Sequence, residues 1–192
     1  MRRKYDKRRR AETEGETRRR IVEATVHLHE TLGPARTQVS AIAELAGVER
    51  VTVYRHFPDP ADLFQACRSH FIQNHPLPDD SWKRIGDPAE RVRAALTGLY
   101  RYYGRNERMV NNILRDSEVL PVGQGFIALR EDVVKAVSEG WNFDGGDRKR
   151  LLATLDVVAD FKTWRTLVRR RKLSLEQAVN LAATWVQCVR ES

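Results

Sequence analysis

Side chains that donate hydrogen bonds crowd into residues 50–56, which read R-V-T-V-Y-R-H. The Arg50 guanidinium can donate two hydrogen bonds to a guanine, a pairing that contributes roughly 1–3 kcal/mol of discrimination between bases. Thr52, Tyr54 and His56 carry donors that suit phosphate oxygens, and such contacts position a protein on DNA without specifying a sequence. These residue types indicate nucleic-acid binding by this stretch.

The strongest concentration of positive charge lies in residues 1–10, where seven Lys and Arg and one Asp give a net +6 of the chain's +8. A basic terminus can be a solvated tail, a segment that neutralises phosphates, or a membrane-surface anchor, although Tyr5 is the only apolar anchor in it. We predict a flexible arm over residues 1–16 that contacts DNA through Arg8, Arg9 and Arg10.

The composition of the 192 residues, 41% hydrophobic and 31% charged, is typical of a globular protein. No apolar run approaches the ~18 residues that span a bilayer, and no apolar segment follows the basic terminus, so we expect neither a membrane span nor a secretory signal. Cys67 and Cys188 lack the spacing of a disulfide framework. Reduced thiols in a cytoplasmic protein are therefore expected.

Groups with catalytic spacing are missing from the sequence, which contains no recognisable nucleophile–base pair, phosphate-binding loop or set of metal ligands. His27 and His29 are two residues apart, which places them on different faces of a helix. We therefore expect a core or boundary histidine rather than a metal pair. The prediction is a protein that is not an enzyme and that has no cofactor and no metal.

Apolar residues at helical spacing run through nearly the whole chain. Residues 21–32 form a first helix, which a capping box over residues 13–16 would begin and the Gly-Pro pair at residues 33–34 would end. Because no segment alternates strictly between apolar and polar residues, the predicted fold class is all-α with about nine helices.

Three shorter helices follow the first. Gly47 separates a second helix, starting at Thr37, from a third over residues 49–56. Asp59 and Pro60 suit the start of a fourth, which runs to about residue 74. Five further helices are predicted over residues 88–104, 106–117, 122–141, 146–171 and 174–190.

Residues 37–57 pair two short helices through a glycine turn, the arrangement of a helix-turn-helix. In that motif the second helix enters the major groove while the first crosses the backbone. Glu49, Arg50 and Val51 would then lie nearest the base edges. Two packed helices with no role in DNA binding are the alternative that this pattern leaves open.

A specific signature lies in the same region, where Val-Tyr-Arg-His-Phe at residues 53–57 follows Ala-Gly-Val at residues 46–48. With these and further matches, residues 17–71 resemble the N-terminal domain of the TetR family of transcriptional regulators. The further matches are Ile21, Ala24, Leu28, Gly33, Thr37, Val39, Ile42, Ala43, Thr52, Pro58, Leu63 and Phe64.

The resemblance implies a homodimer that binds an inverted repeat in double-stranded DNA. Three positions depart from the family pattern. Pro60 stands where a phosphate-contacting Lys is usual, and His29 replaces a core Phe. Glu49 stands where a small polar residue is usual, although its carboxylate can accept a hydrogen bond from cytosine N4. The implied DNA contacts are Thr37, Gln38, Ser40, Arg50, Val51, Thr52, Tyr54, Arg55 and His56.

The resemblance also implies a DNA-binding domain over residues 17–75 and an effector-binding and dimerisation domain over residues 76–192. The last two helices would pair with those of a second subunit, and a small, apolar or aromatic effector would occupy a cavity. For the interface residues and for the cavity residues named below, packing in the chain's own core is the alternative. The interface candidates are Leu151, Leu155, Val158, Trp185, Val186 and Val189. The cavity candidates are Tyr100, Tyr103, Met109, Ile113, Leu114, Phe126, Leu129, Phe161 and Trp164.

The function expected from these features is that of a repressor which a small ligand releases from its operator. Two alternatives remain, and only the first lies outside the class of DNA-binding regulators. One is a helical small-molecule-binding protein or enzyme with a vestigial helix-turn-helix. The other is a TetR-like activator, or a regulator that has no ligand.

Overall fold

The computed structural model describes the backbone of residues 2–143 and 145–189 and the side chains of residues 12–143 and 145–189. Within this part every regular element is helical, which confirms the predicted all-α class. No helix among the described residues is both long and apolar enough to cross a membrane. The α-helices are α1 (Arg2–Thr31), α2 (Val39–Ala46), α3 (Arg50–His56), α4 (Pro60–Asn74), α5 (Pro88–Arg105), α6 (Glu107–Asp116), α7 (Gln124–Val137), α8 (Gly145–Ala159), α9 (Phe161–Trp164) and α10 (Leu175–Cys188).

The first helix is longer than the sequence predicted, because α1 begins at Arg2 and continues through the segment expected to be a flexible arm. Lys, Arg and Glu are good helix formers, and the one glycine in this segment, Gly15, costs only about 1 kcal/mol. Thr13 lies inside the helix, where its carbonyl accepts a hydrogen bond from the Thr17 hydroxyl at 2.9 Å. The predicted capping box over residues 13–16 therefore does not begin α1.

The predicted second, third and fourth helices are present within two residues of the expected bounds. Asp59 caps α4, and its carboxylate accepts a hydrogen bond from the Ala61 N–H at 2.8 Å, while Pro60 occupies the first helical position. Two further turns of 3₁₀ helix, Pro34–Arg36 and Ser81–Arg84, were not predicted.

The chain divides into two compact units. Unit 1 comprises the residues up to Pro76 together with Arg115–Leu120, and unit 2 comprises Leu77–Leu114 together with the residues from Pro121 onward. The segment Arg115–Leu120 thus joins the unit that holds the helix-turn-helix, although the sequence assigned it to the second domain.

In unit 1, α1 packs against α2 and α4, and α2 packs against α3. Their apolar faces form one core. The buried residues of this core are Ile21, Val22, Ala24, Ile42, Ala43, Ala46, Val53, Phe57, Leu63 and Cys67.

Arg115 and Asp116 close the end of α1 within unit 1. The Arg115 guanidinium donates to the Leu32 carbonyl at 2.9 Å, and Asp116 Oδ2 accepts from the Ala35 N–H at 2.9 Å. Burial raises the pKa of Asp116, but the hydrogen bonds from Arg115 and Ala35 outweigh burial and lower it overall. Gly33 has a φ of +94°, and a Cβ there would overlap both side chains, so only glycine fits this turn.

In unit 2, α10 packs against α5 and α8, and α7 packs against α5 and α8. The single helix predicted over residues 146–171 is wrong, because the chain breaks at Asp160 between α8 and α9. The Asp160 carboxylate caps α9 by accepting from the Lys162 N–H at 2.7 Å. A π-helical turn, Arg165–Arg170, follows α9.

Two tyrosines of α5 stabilise this break. The Tyr100 and Tyr103 hydroxyls donate to the carbonyls of Val158 and Ala159, each at 2.8 Å. The last carbonyls of a helix have no N–H donor inside the helix, so they need other partners when buried. The tyrosines supply those partners at the end of α8.

The buried imidazole of His29 makes the stability of unit 1 depend on pH. Burial lowers the pKa of His29 from 6.5 to about 4, although the charge of Asp116 acts in the opposite direction. A pKa lowered on folding means that the neutral form contributes its full stability above pH 6.5, and that this contribution is lost as the pH falls towards 4.

We predict that His29→Phe removes about 2–3 kcal/mol of the stability loss between pH 6.5 and pH 4, because phenylalanine fills the site without taking a proton. Denaturant unfolding at a series of pH values measures this. His27 is exposed on the same helix, so His27→Phe is the matched control and keeps the pH dependence of the wild-type chain. Equal pH dependence in the two variants would contradict the prediction.

Candidate nucleic-acid interface

The turn between α2 and α3 is built on a left-handed glycine. Gly47 has φ 63° and ψ 44°, a conformation that glycine adopts without steric cost. Its N–H donates to the Glu44 carbonyl at 3.1 Å, and the next N–H, that of Val48, donates to the Ala43 carbonyl at 2.9 Å. The turn therefore ends α2 sharply and allows α3 to start only a few residues later.

One face of α3 is unusually exposed. Val53 is its one buried residue, while Arg50 and Arg55 are exposed. Val51 is 72% exposed and Tyr54 49% exposed. The exposed side of α3 therefore carries two arginines, an apolar side chain and an aromatic side chain that are free of the core.

The N-terminal end of α2 is open to an anion. No side chain caps it, and no acidic residue lies in its first turn. First-turn N–H groups have no acceptor inside a helix, and such ends bind phosphate. Gln38 and Ser40 are exposed there. The Thr37 hydroxyl donates to the Gly33 carbonyl at 2.8 Å, which leaves its oxygen able to accept a further hydrogen bond.

Two arginines of α1, which sequence reasoning did not identify, hold the C-terminal ends of α2 and α3. Arg20 Nε donates to the Ala46 carbonyl at 2.9 Å, and Arg20 Nη2 donates to the Gly47 carbonyl at 2.8 Å. Arg18 Nη1 donates to the His56 carbonyl at 2.8 Å, and its guanidinium lies 4.0 Å from the centre of the Phe57 ring. Positive charge at a helix C-terminus is favourable, so both arginines position the two helices.

The nine predicted DNA contacts of the helix-turn-helix are all exposed or half-buried, and they lie along α3 and at the start of α2. The departing residues Glu49 and Pro60 are also exposed. The side chains of Arg8, Arg9 and Arg10 lie outside the described residues, so their predicted contacts stay predictions.

The predicted cavity residues largely pack against one another or lie in the core. Tyr103 meets Phe161 edge-on with ring centres 5.4 Å apart, and Phe161 lies 5.3 Å from Trp164. Burial raises the pKa of the Tyr100 and Tyr103 hydroxyls, which already donate to the carbonyls at the end of α8. Met109 and Ile113 are buried, and Leu114, Phe126 and Leu129 are half-buried.

The predicted dimer interface stays a prediction, and most of its residues lie in the core of the chain. Five of its six residues are buried within the chain, so their side chains have almost no accessible surface that a partner could contact. Trp185 alone is exposed, at 38%. Helical spacing identified the apolar face correctly, but this face packs against the chain's own helices. The five buried residues are Leu151, Leu155, Val158, Val186 and Val189.

Comparison with known families places a defined domain in this region. Residues 21–67 match the family described as bacterial regulatory proteins, tetR family. Two proteins of Pseudomonas putida, the HTH-type transcriptional regulator TtgR and the probable HTH-type transcriptional regulator ArpR, are each 43% identical over 68 residues. That match covers 35% of this chain and 32% of each relative, so the chain spans about a third of the length of these relatives.

Solved structures resemble the fold over most of the chain. A TetR-like transcriptional regulator from Rhodococcus sp. RHA1 has a TM-score of 0.56 at 19% identity, with 92% of this chain and 96% of that chain covered. A putative fatty acid metabolism regulator from Clostridium perfringens has a TM-score of 0.56 at 15% identity, with 88% and 97% covered. The helical arrangement is therefore that of TetR-like structures.

We predict that Arg20→Ala lowers the free energy of unfolding of unit 1 by about 1–2 kcal/mol, because it leaves the α2 carbonyls without a charged donor. Arg19, its neighbour, instead pairs with Glu16 and Glu23 on the exposed side of α1. Arg19→Ala is therefore the matched control and should change stability little. Chemical denaturation of both variants measures the difference. Equal losses would show that the contacts of Arg20 do not stabilise the unit.

Proposed function

We propose that this chain, whose N-terminal region carries a DNA-binding domain of the tetR family of bacterial regulatory proteins, is a transcriptional regulator that binds double-stranded DNA as a homodimer. The observation that carries the proposal is the exposed face of α3, held by the Gly47 turn and by the arginines of α1. Such a regulator works in the cytoplasm, where it meets the chromosome.

The residues at the start of α3 make the base contacts that select a DNA sequence. Arg50 is the first residue of that helix, and its guanidinium suits the two acceptors of a guanine in the major groove. Val51 presents apolar surface that suits a thymine methyl group, and the Glu49 carboxylate suits the amino group of cytosine. Together the three residues read adjacent base pairs.

Backbone contacts come from the flanking positions. The uncapped start of α2, with Thr37, Gln38 and Ser40, suits one phosphate. Tyr54 and Arg55 extend from α3 towards the backbone. The basic residues 1–10 add phosphate contacts and most of the salt dependence, because residues 11–75 contain seven basic and nine acidic residues and so lack net positive charge.

A second copy of the chain covers an apolar patch on the last long helices. Val157 of α8 is 52% exposed, and Leu181 and Trp185 of α10 are 37% and 38% exposed. The two helices pack against each other, and Leu181 and Trp185 lie four residues apart on one face. An isologous contact through this patch gives the twofold symmetry that an inverted repeat requires.

The effector binds in unit 2, and effector binding releases the repressor from its operator. Three buried polar atoms in unit 2 have no hydrogen-bond partner among the described residues: the Tyr102 hydroxyl, Asn106 Oδ1 and Arg130 Nε. Each such atom costs about 1–3 kcal/mol when left unpaired. Burial also raises the pKa of Tyr102 to about 12, so the hydroxyl keeps its proton and can donate. A polar group of a ligand would recover this energy.

We predict that Arg50→Ala relaxes preference at one base pair by about 1–3 kcal/mol, while Tyr54→Phe weakens binding to all sequences equally, because Arg50 contacts base edges and Tyr54 contacts the DNA backbone. Fluorescence anisotropy with duplexes enriched from a random pool measures both effects. Arg68 is exposed on α4 outside the interface, so Arg68→Ala is the control. If Arg50→Ala behaved like Arg68→Ala, the assignment of α3 as the reading helix would be wrong.

We predict that Trp185→Glu converts the dimer to a monomer and lowers operator affinity, because a charge cannot be buried at the twofold contact without a partner. Sedimentation equilibrium measures the oligomeric state. Gln187 is exposed elsewhere on α10, so Gln187→Glu adds the same charge and should leave the dimer intact. A Trp185→Glu variant that remained dimeric would refute this interface.

A further inference from the structure

Unit 2 carries a basic surface formed by two stretches of the chain, residues 101–108 and 162–172. They contain nine Lys and Arg and one Glu, a net charge of +8 that equals the net charge of the whole chain. All nine basic residues are exposed. The nine members of the basic surface are Arg101, Arg105, Arg108, Lys162, Arg165, Arg169, Arg170, Arg171 and Lys172.

Hydrogen bonds join the second stretch to the start of α6. Arg169 Nε donates to Glu107 Oε2 at 2.7 Å, and Arg165 Nη1 donates to Asn111 Oδ1, one turn further along α6, at 2.7 Å. The Arg169 guanidinium also lies 5.2 Å from the centre of the Trp164 ring. The two stretches therefore lie side by side and form one surface.

The positive charge of this surface is concentrated and mostly uncompensated. Among the described residues, Arg169 is the one member of the basic surface that forms an ion pair with an acid. Outside the two stretches and residues 1–10, the chain contains 18 basic and 24 acidic residues, a net charge of −6. Crowded like charges repel one another. A bound polyanion would remove this repulsion.

Lys172 occupies its position at a conformational cost. Its φ is 62°, and it is the one non-glycine residue with a left-handed backbone in the described part of the chain. It follows the π-helical turn, and the next N–H, that of Leu173, donates to the Leu167 carbonyl at 3.1 Å. Glycine adopts this conformation without steric cost and is the usual residue at such a helix end. The chain has a positive charge there instead.

The polar character of the surface fits DNA better than a protein or a membrane. None of the large hydrophobic side chains exposed among the described residues lies in residues 101–108 or 162–172. Protein interfaces contain an apolar core, and helices that bind membrane surfaces insert apolar side chains. Protein–DNA interfaces are more polar and more positively charged. Seven of the nine basic residues are arginine, whose guanidinium donates two parallel hydrogen bonds to a phosphate.

We propose that the basic surface is a second DNA-binding surface, which binds the phosphate backbone of duplex DNA without regard to sequence. It adds to the phosphate contacts of residues 1–10 and goes beyond the base contacts of α3. Release of the counterions condensed on DNA drives this binding. The surface raises the affinity of the chain for any duplex, so the chain stays on DNA while α3 searches for its operator.

The test measures binding of the full chain to a fluorescent duplex of random sequence, by anisotropy over a series of salt concentrations. The triple variant Arg170→Gln, Arg171→Gln, Lys172→Gln should weaken binding by roughly tenfold or more at about 0.1 M salt. The slope of log affinity against log salt should become shallower by roughly 0.9 for each phosphate contact that is lost.

The matched control removes the same charge from exposed residues of unit 2 outside the basic surface: Arg93→Gln, Lys135→Gln, Lys149→Gln. It should change the slope by less than half as much, because these residues contact no phosphate. Equal slopes for the two triple variants would overturn the proposal. Labelled poly-glutamate tests the other class of partner. If the first triple variant lost as much affinity for poly-glutamate as for the duplex, the surface would fit an acidic protein, and the proposal would be wrong.

Lys172→Gly distinguishes a binding role from a structural one, because glycine relieves the backbone strain while it removes the charge. The midpoint of thermal unfolding should not fall, whereas affinity for the random duplex should fall by roughly two- to fivefold. A variant that was at least as stable as the wild type and bound the duplex equally well would refute the role of Lys172 in the basic surface.

Base preference separates this inference from the proposed function. The first triple variant should keep the preference read by Arg50, because phosphate contacts carry no sequence information. If Arg50→Ala relaxed that preference while the triple variant kept the wild-type salt slope, this inference would fail and the proposed function would stand. A shallower slope in the triple variant, with no change of preference in Arg50→Ala, would show the reverse.

Discussion

Helices of eight and seven residues are marginal in water on their own, so the exposed face of α3 depends on how α1 holds the ends of α2 and α3. The arginine donors of α1 reach 26 residues along the chain to Ala46 and 38 residues to His56. Each places a charge-assisted hydrogen bond on a helix C-terminus, where carbonyl oxygens point outward unpaired. With Gly47 they give α2 and α3 one relative orientation.

This arrangement leaves the exposed face of α3 without a packing role. Val53 and Phe57 supply the packing of the third helix, and Arg18 closes its end. Val51 and Tyr54 can then remain exposed without loss of the fold. Holding apolar surface in water costs free energy, which contact with a binding partner would recover.

Much of unit 1 could be predicted from the sequence because its signals are local. Gly47, Asp59 and Pro60 act on their immediate neighbours, and the observed helix bounds follow them. The contacts of Arg18 and Arg20 could not be predicted, because they join residues distant in the chain. The start of α1 was misjudged because a possible cap at residue 13 competed with strong helix formers before it.

Unit 2 shows where periodicity is insufficient. Apolar spacing continues across Asp160, so the spacing alone does not predict the break. Asp160 is a local N-cap, but the carbonyls at the end of α8 are satisfied by tyrosine hydroxyls of α5, which are distant in the chain. The spacing also placed Leu151, Leu155 and Val158 on an apolar face without saying which surface covers that face. In the structure the chain covers it, while Val157, Leu181 and Trp185 remain exposed.

The most direct test of the central claim is a protection footprint of the purified chain on DNA from the region upstream of its own gene. We expect two protected half-sites, related as an inverted repeat, with centres one helical turn or a multiple of it apart, since two copies of α3 must enter the major groove on the same twofold axis. A footprint without paired half-sites, or a sequence preference that Arg50→Ala leaves unchanged at every base pair of the half-site, would contradict this expectation.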